Sequence, residues 1–303
     1  EYTADYGSQY IISDFNSSFA RGINSDFSMN APDNELVLLP KANNSEYVTW
    51  NSRVKVEAGR LVFDNSLLND NTSTFWFQEL LIGGGDCTAE VEILNVAGTE
   101  DVVVDYDIRG VIIGKNGFLL ISNTKHGLST DDSFVLTGNA CIEVLNKEEF
   151  SFSRDGSIVM TERSLAKIRC STIYGGLYTI YDESRLWIYS DGAPKGVFHI
   201  GAGSAEILFL RNHKPMNLLA SDAGKFEINF TDKNKGNYGQ VILDFTFGED
   251  KTPGCNSFAV GFLLSNGFIK IDGVPQYDAN NLNFSWSDDT PQDNAYMVIS
   301  LKN

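Results

Sequence analysis

The sequence has few of the residues on which enzymes and metal sites usually depend. Its 303 residues include three histidines, His126, His199 and His213, in three unrelated segments. Three isolated histidines disfavour a histidine-rich metal centre, and the lack of a Gly-x-Ser-x-Gly turn disfavours a serine hydrolase. The four cysteines include no Cys-x-x-Cys pair, so zinc-ribbon and thioredoxin-like sites have no support. The sequence therefore favours a non-enzymatic role.

Positive charge and long apolar runs are also scarce. The chain has 23 Lys and Arg against 40 Asp and Glu, a net charge of −17. Nucleic acids and anionic membranes would repel such a surface. No apolar run approaches the roughly 18–20 residues that cross a bilayer. We therefore expect neither a nucleic-acid partner nor a membrane span.

What the sequence does contain is a long series of strand-like segments. Hydrophobic residues make up 42% and aromatic residues 12% of the chain, which is typical of a folded protein. Short β-branched and aromatic runs alternate with Gly, Asn and Asp clusters. The pattern predicts an all-β fold of β-sandwich domains, of jelly-roll or immunoglobulin-like type, with little helix. The segment 224–247 is similar to the late hairpin of immunoglobulin-like sandwiches.

Local signals refine this prediction. Lys115-Asn116-Gly117 and Ser265-Asn266-Gly267 each lie between apolar runs and predict type I′ hairpins. Asp272-Gly273 is a further turn pair. The one helix candidate is Thr161–Arg169, which can equally be a strand.

Length predicts two domains, 1–150 and 151–303, with a polar boundary near residues 146–157, although one large sandwich is an alternative. Ile82-Gly83-Gly84-Gly85 precedes a strand-like run, and Ile200-Gly201-Ala202-Gly203 precedes a similar one. The echo is either a duplication of related domains or a coincidence.

The chain is expected to be secreted, extracellular or on the cell surface. It starts at Glu1 rather than Met, which is consistent with a processed secretory protein. An even number of cysteines in such a chain predicts two disulfides, and sequential pairing, Cys87–Cys141 and Cys170–Cys255, would staple each half separately. Buried thiols in a reducing compartment are the alternative. Five Asn-x-Ser/Thr sequons, such as that at Asn229, are compatible with glycosylation.

Aromatic side chains beside polar loops suggest carbohydrate binding. The candidate stacking residues are Trp286, Trp187 and Trp50, although a tryptophan is more often part of a core. Oxygen-rich loops suggest calcium as the one cofactor to consider, with candidate ligands at Asp64, Asn69, Asp70, Asp288, Asp289 and Asp293.

An enzyme acting on polysaccharide is a weaker alternative. Glu90 and Glu92 share one strand face, as a paired-carboxylate site requires. Tyr174, Tyr178, Arg185 and His199 fall in one region that could instead serve a lyase.

The N-terminal segment, residues 1–12, alternates in a way that predicts a strand. Tyr2, Tyr6, Tyr10 and Ile12 fall on one side of it. Such a segment can donate a strand to a neighbouring subunit, pair within its own domain, or form a helix face. The sequence thus predicts an extracellular structural or adhesive protein that self-associates through strand edges, as pilus, filament or surface-layer subunits do. A secreted carbohydrate-binding module or lectin is the alternative.

Overall fold

The fold is nearly all β. The computed structural model describes residues 9–15, 26–40, 48–64, 74–95, 105–108, 110–123, 128–130, 133–146, 149–152, 156–191, 194–211, 226–244, 255–286 and 296–302. The strands in these ranges are β1 (Gln9–Phe15), β2 (Phe27–Pro40), β3 (Val48–Asp64), β4 (Thr74–Ile82), β5 (Ala89–Asn95), β6 (Asp105–Ile108), β7 (Val111–Ile113), β8 (Gly117–Asn123), β9 (Leu128–Thr130), β10 (Ser133–Leu136), β11 (Cys141–Asn146), β12 (Glu149–Phe152), β13 (Ser157–Met160), β14 (Leu165–Arg169), β15 (Thr172–Tyr174), β16 (Leu177–Asp182), β17 (Arg185–Ser190), β18 (Gly196–Gly203), β19 (Glu206–Arg211), β20 (Phe226–Phe230), β21 (Gln240–Asp244), β22 (Ile269–Ile271), β23 (Val274–Pro275), β24 (Leu282–Trp286) and β25 (Tyr296–Leu301). One α-helix, α1 (Cys255–Ser265), precedes β22.

These strands stack as the coils of a parallel β-solenoid. Each strand pairs in parallel with the equivalent strand of the next coil. Face one is the row β2, β3, β4, β7, β10, β13, β16, β18, β20 and β22. Face two is the row β1, β2, β3, β5, β8, β11, β14, β17, β19 and β21. A shorter third face contains β9, β12 and β15.

The core is built from columns of apolar side chains that repeat from coil to coil. Because side chains alternate along a strand, every second residue points into the coil. On face one an inward column holds, in register, Val54, Leu80, Val111, Phe134, Ile158, Tyr178, Phe198, Ile228 and Ile269. All of these side chains are buried, as are their face-two counterparts Leu61, Val91, Leu119, Ile142, Ala166, Leu186, Ile207 and Val241. Each coil therefore buries its apolar side against its neighbours.

Tight corners connect face one to face two. Several corners place one residue in the left-handed region, among them Glu162 and Asp182, each with φ 58°. Gly203, with φ +106°, serves the corner between β18 and β19, where a Cβ atom would lie 2.4 Å from the Cα atom of Asp182. Backbone hydrogen bonds link successive corners, as from Glu183 N–H to the Glu162 carbonyl at 2.8 Å. The corners are thus part of the stack.

The C-terminal end of the solenoid is built differently on its two main faces. On face two, β25 pairs antiparallel with β21, and β24 pairs antiparallel with β25. On face one, β23 folds back on β22 through Asp272 and Gly273. Leu263 and Leu264 of α1 are buried in the core. The predicted Asp272-Gly273 turn is confirmed as a hairpin turn.

The prediction of an all-β fold is confirmed, whereas a sandwich is not, because the main strands pair in parallel between coils. The predicted hairpin at Asn116 is wrong, since β7 and β8 pair with neighbouring coils rather than with each other. Likewise β20 and β21, in the immunoglobulin-like segment, do not pair with each other. Gly267 follows α1 with φ +63°, so its turn ends a helix instead of joining two strands. The helix candidate contains β14.

Strand pairing continues across the predicted domain boundary. β10 and β11, on one side of it, pair with β13 and β14 on the other. The echo between Ile82 and Ile200 reflects equivalent positions in two coils, because both residues lie in the same inward column, directly before the corner.

The predicted disulfides are wrong. Cys87, Cys141 and Cys170 carry thiols and form no disulfide. Cys141 starts β11, which lies two coils beyond β5, so two steps of about 4.8 Å separate it from Cys87. A disulfide needs Cα atoms within about 7 Å. Cys170 is buried after β14, three coils from the strand that precedes Cys255.

Candidate functional site

An open cleft lies beside face one near the C-terminal end of the solenoid. Its volume is about 570 Å³. One wall comes from the corners that lead into β16 and β18, and the other from the segment that follows α1. Its lining consists of Gly175, Gly176, Gly196, Val197, Phe226, Glu227, Asn266, Gly267, Phe268, Lys270, Pro275 and Tyr277.

Glycines form the floor because the backbone passes closely there. A Cβ atom on Gly196 would lie 2.9 Å from the carbonyl oxygen of Gly175 and 3.1 Å from the ring of Tyr178. Gly175 and Gly176 both have positive φ. The glycines therefore allow successive coils to approach closely here, and no side chain projects into the cleft from these positions.

Aromatic rings support the cleft from below. Phe226 is buried, and its ring contacts those of Phe198, Phe209 and Phe268 with centroids 5.7–6.5 Å apart. The ring of Phe198 in turn stacks on that of Tyr178 at 4.7 Å. These ring contacts connect the residues that line the cleft to the core of the solenoid.

Two tyrosines stand beside this floor. Tyr277 is 70% exposed, and its ring lies within about 3.4 Å of the position of a Cβ atom on Gly267. Tyr174, 36% exposed, directly precedes Gly175, and the Lys195 ammonium lies 4.3 Å from its ring centroid. Exposed aromatic rings beside polar groups can pack against the apolar faces of sugars.

Charged and polar groups occupy the side formed by β20 and β22. Lys270 donates to Glu227 at 2.6 Å, and both side chains are about one-quarter exposed. Burial lowers the pKa of His199, an effect that the nearby Glu227 opposes and Lys270 reinforces. Gly273 N–H donates to Asn229 Oδ1 at 3.1 Å. Of these groups, Glu227 and Lys270 line the cleft, and they can accept from and donate to hydroxyl groups.

A second cavity, of about 500 Å³, lies near β2, β3 and β5, and its lining includes four acidic residues and one arginine. Arg60 dominates it: its guanidinium donates twice to Glu92, at 2.8 and 3.1 Å, and also pairs with Glu35. Glu90 lies 3.8 Å from Arg60. The predicted carboxylate pair, Glu90 and Glu92, is thus gathered around a cation, and this arrangement favours a structural role over acid–base catalysis.

The structure separates the residues that the lyase interpretation grouped. Tyr178 points into the core and is fully buried, and burial raises its pKa well above the usual value. Arg185 lies on face two, whereas His199 lies on face one. Tyr174 and His199 alone remain on the side of the cleft.

Trp187, a predicted stacking residue, is half-buried on the outside of face two. The Lys167 ammonium lies 5.6 Å from its ring centroid, and Leu208 is its register neighbour on the other side. The Lys167 ammonium therefore already occupies one face of the ring. Trp50 and Trp286 lie in β3 and β24, in register with Phe77 and Met297, outside the residues whose side chains the structure describes.

Most of the predicted calcium ligands lie outside the described residues. Asp64 ends β3, and the other five candidate ligands, Asn69, Asp70, Asp288, Asp289 and Asp293, lie outside the described residues. Within the described ranges, no group of three or more His, Cys, Asp or Glu side chains is arranged to hold a metal ion. His126 and His213 also lie outside these ranges.

The structure describes part of the N-terminal segment for which a strand is predicted. Tyr10 and Ile12 lie in β1, which pairs in parallel with β2 of the same chain, while Tyr2 and Tyr6 lie outside the described residues. The sequon residue Asn229 is only 6% exposed.

Sequence reasoning missed three main groups of the cleft, Tyr277, Glu227 and Lys270. The one local signal was the glycine pair at 175–176, whose backbone conformation excludes most other residues. The rest depends on the stacking of coils that are distant in sequence.

Comparison with known proteins identifies no relative of this chain. The chain matches no protein-family model, and no curated protein or solved structure shows significant similarity to it. Among the described residues, no helix is both long enough and apolar enough to span a bilayer.

Proposed function

We propose that this chain is an extracellular adhesive protein whose coil presents a carbohydrate-binding cleft. The observation that carries the proposal is the glycine-floored cleft with Tyr277 at its rim. The stacked coils provide a stiff support for such a site. The net negative charge of the chain suits a soluble extracellular protein.

Carbohydrate is the ligand class that best suits the cleft. Sugars combine apolar C–H faces with many hydroxyl groups, so they need aromatic surface and polar groups together. Tyr277 offers the first, while Glu227, Lys270 and Asn266 offer the second. The open form of the cleft is suited to a chain that passes through it.

A glycan array with the purified chain tests this proposal, in calcium and in EDTA. Tyr277→Ala should weaken binding about tenfold, which corresponds to about 1.4 kcal/mol and to the loss of one aromatic contact. Tyr238→Ala is the matched control, because Tyr238 is 65% exposed but does not line the cleft. An array without binding in either condition, or equal effects of the two substitutions, would refute the proposal.

Self-association through strand edges is a second candidate function. It is favoured by the position of β1, which is the outermost strand of face two and pairs, among the described strands, with β2 alone. Such an edge can accept a strand from another copy. Deleting residues 1–12 should then abolish oligomers seen by negative-stain electron microscopy and leave a folded monomer. Oligomers that persist would show that the edge formed by this segment does not carry the assembly.

A further inference from the structure

The outer surface of face one carries an apolar track that leads to the cleft. We define the track as Leu81, Ile112, Val135, Val159, Leu177 and Val197. The first four form one column, in register across β4, β7, β10 and β13. Leu177 and Val197 continue it in the adjacent outward column of β16 and β18. Ile112 is 44% and Leu177 39% exposed, and the others are half-buried.

The track is continuous with the cleft. Val197, its last residue, lines the cleft, and Leu177 and Val197 directly follow the floor glycines Gly176 and Gly196. Six coils at about 4.8 Å per step make the track about 24 Å long. A ligand in the cleft can therefore extend along face one without leaving the apolar surface.

Among the described residues, the polar side chains in the outward columns beside the middle of the track are neutral hydroxyls, and His199 follows them beside Val197. Ser133 and Ser157 lie in the outward column next to Val135 and Val159, and their Oγ atoms are 2.9 Å apart. Charged side chains are found at the two ends, where Arg53 pairs with Glu79 and Lys270 pairs with Glu227, and at the corners beyond face one, as at Lys115 and Glu162. The middle of the track thus combines apolar and hydroxyl surface.

We propose that the ligand is an extended neutral polysaccharide, bound by the cleft at one end and by the track along several coils. This inference rests on the proposed carbohydrate-binding function. A neutral chain matches the uncharged middle of the track, whereas the net charge of −17 would repel a polyanion. A polymer also explains why the apolar surface continues for six coils rather than ending at the cleft.

The test compares short and long forms of the same sugar. Cello-, manno- and xylo-oligosaccharides of two and six units are titrated by calorimetry against the full chain. For the series that binds, the six-unit form should bind at least tenfold more tightly than the two-unit form. Ile112→Ser should remove most of this gain without changing the affinity for two units, since Ile112 lies four coils from Val197. Val274→Ser, at a 61% exposed apolar position outside the track, is the control and should change neither affinity.

The outcomes separate the track from the cleft. If length gives no gain, or if Ile112→Ser binds six units as the unmodified chain does, the track is refuted and the cleft proposal stands. If none of the three series binds, the neutral-polysaccharide proposal fails, whereas the carbohydrate function itself fails only if the glycan array also shows no binding. Tighter binding of oligogalacturonate than of neutral sugars would overturn the neutral class. A dimer in sedimentation equilibrium that Ile112→Ser dissociates would assign the track to a second copy of the chain.

Discussion

Asn237 should be one of the most sensitive polar positions in the fold. It is fully buried in the connection between β20 and β21, which is longer than the other described corners. Its side-chain amide donates to the carbonyls of Ile200, at 2.7 Å, and Thr231, at 2.6 Å. Its Oδ1 accepts from Gly239 N–H at 2.9 Å. One side chain thus satisfies three backbone groups.

Asn237→Ala should destabilise the protein by about 2–4 kcal/mol. The Ile200 carbonyl keeps a second donor, Thr231 N–H at 2.8 Å, so its loss is small. The Thr231 carbonyl and Gly239 N–H lose the buried partner described for them, and each unsatisfied group costs about 1–3 kcal/mol. Water that enters the vacated space offsets part of this cost, which places the estimate below the full sum.

Urea unfolding followed by circular dichroism measures this effect, with the midpoint and the slope fitted together. Asn280→Ala is the matched control, because Asn280 is exposed and bonds only Asp278 among the described contacts. We expect that control to change stability by less than about 0.5 kcal/mol. If Asn237→Ala also changes the free energy of unfolding by less than about 0.5 kcal/mol, the three hydrogen bonds do not stabilise the fold as inferred.

Three further predictions concern other parts of the solenoid. Gly203→Ala should cost more than Gly84→Ala, since both positions have positive φ but only at Gly203 would the new Cβ atom collide with backbone; equal urea midpoints would contradict this. In the native protein a thiol reagent should modify the exposed Cys87 rapidly and the buried Cys170 only after unfolding, and mass spectrometry of labelled peptides would reveal the opposite order. Burial lowers the pKa of His199, so the unfolded chain binds its proton first as the pH falls below the ordinary value of about 6.5. Stability should therefore decline on acidification from there, and His199→Gln should flatten that part of the pH profile of urea midpoints; an unchanged slope would refute the assignment.

The strand content was readable from the sequence because strand formation here depends on local alternation. Each short run with apolar residues at every second position, such as Ile158 and Met160 in β13, buries that side in the structure. The turn residues were also readable, because Asn116 and Gly273 adopt the left-handed backbone that their types favour. These features belong to a few consecutive residues.

The pairing of the strands could not be predicted from the sequence. A short turn between two apolar runs suits an antiparallel hairpin and a solenoid corner equally well. The deciding factor is the partner, and β7 finds its partners in β4 and β10 of the adjacent coils. The variable number of residues per coil hides the repeat, so only the isolated echo between Ile82 and Ile200 was visible.

The candidate site shows the same division. The sequence by itself determined an acidic all-β chain with many short strands, few histidines and glycine-rich turns, because composition and local alternation are properties of neighbouring residues. Tertiary structure alone decided that Gly176, Glu227 and Tyr277 share one cleft, and that Cys87 and Cys141 lie too far apart to pair. The physical reason is that stacking determines which coils are neighbours, and it brings together residues that lie 20 to 41 positions apart in the chain.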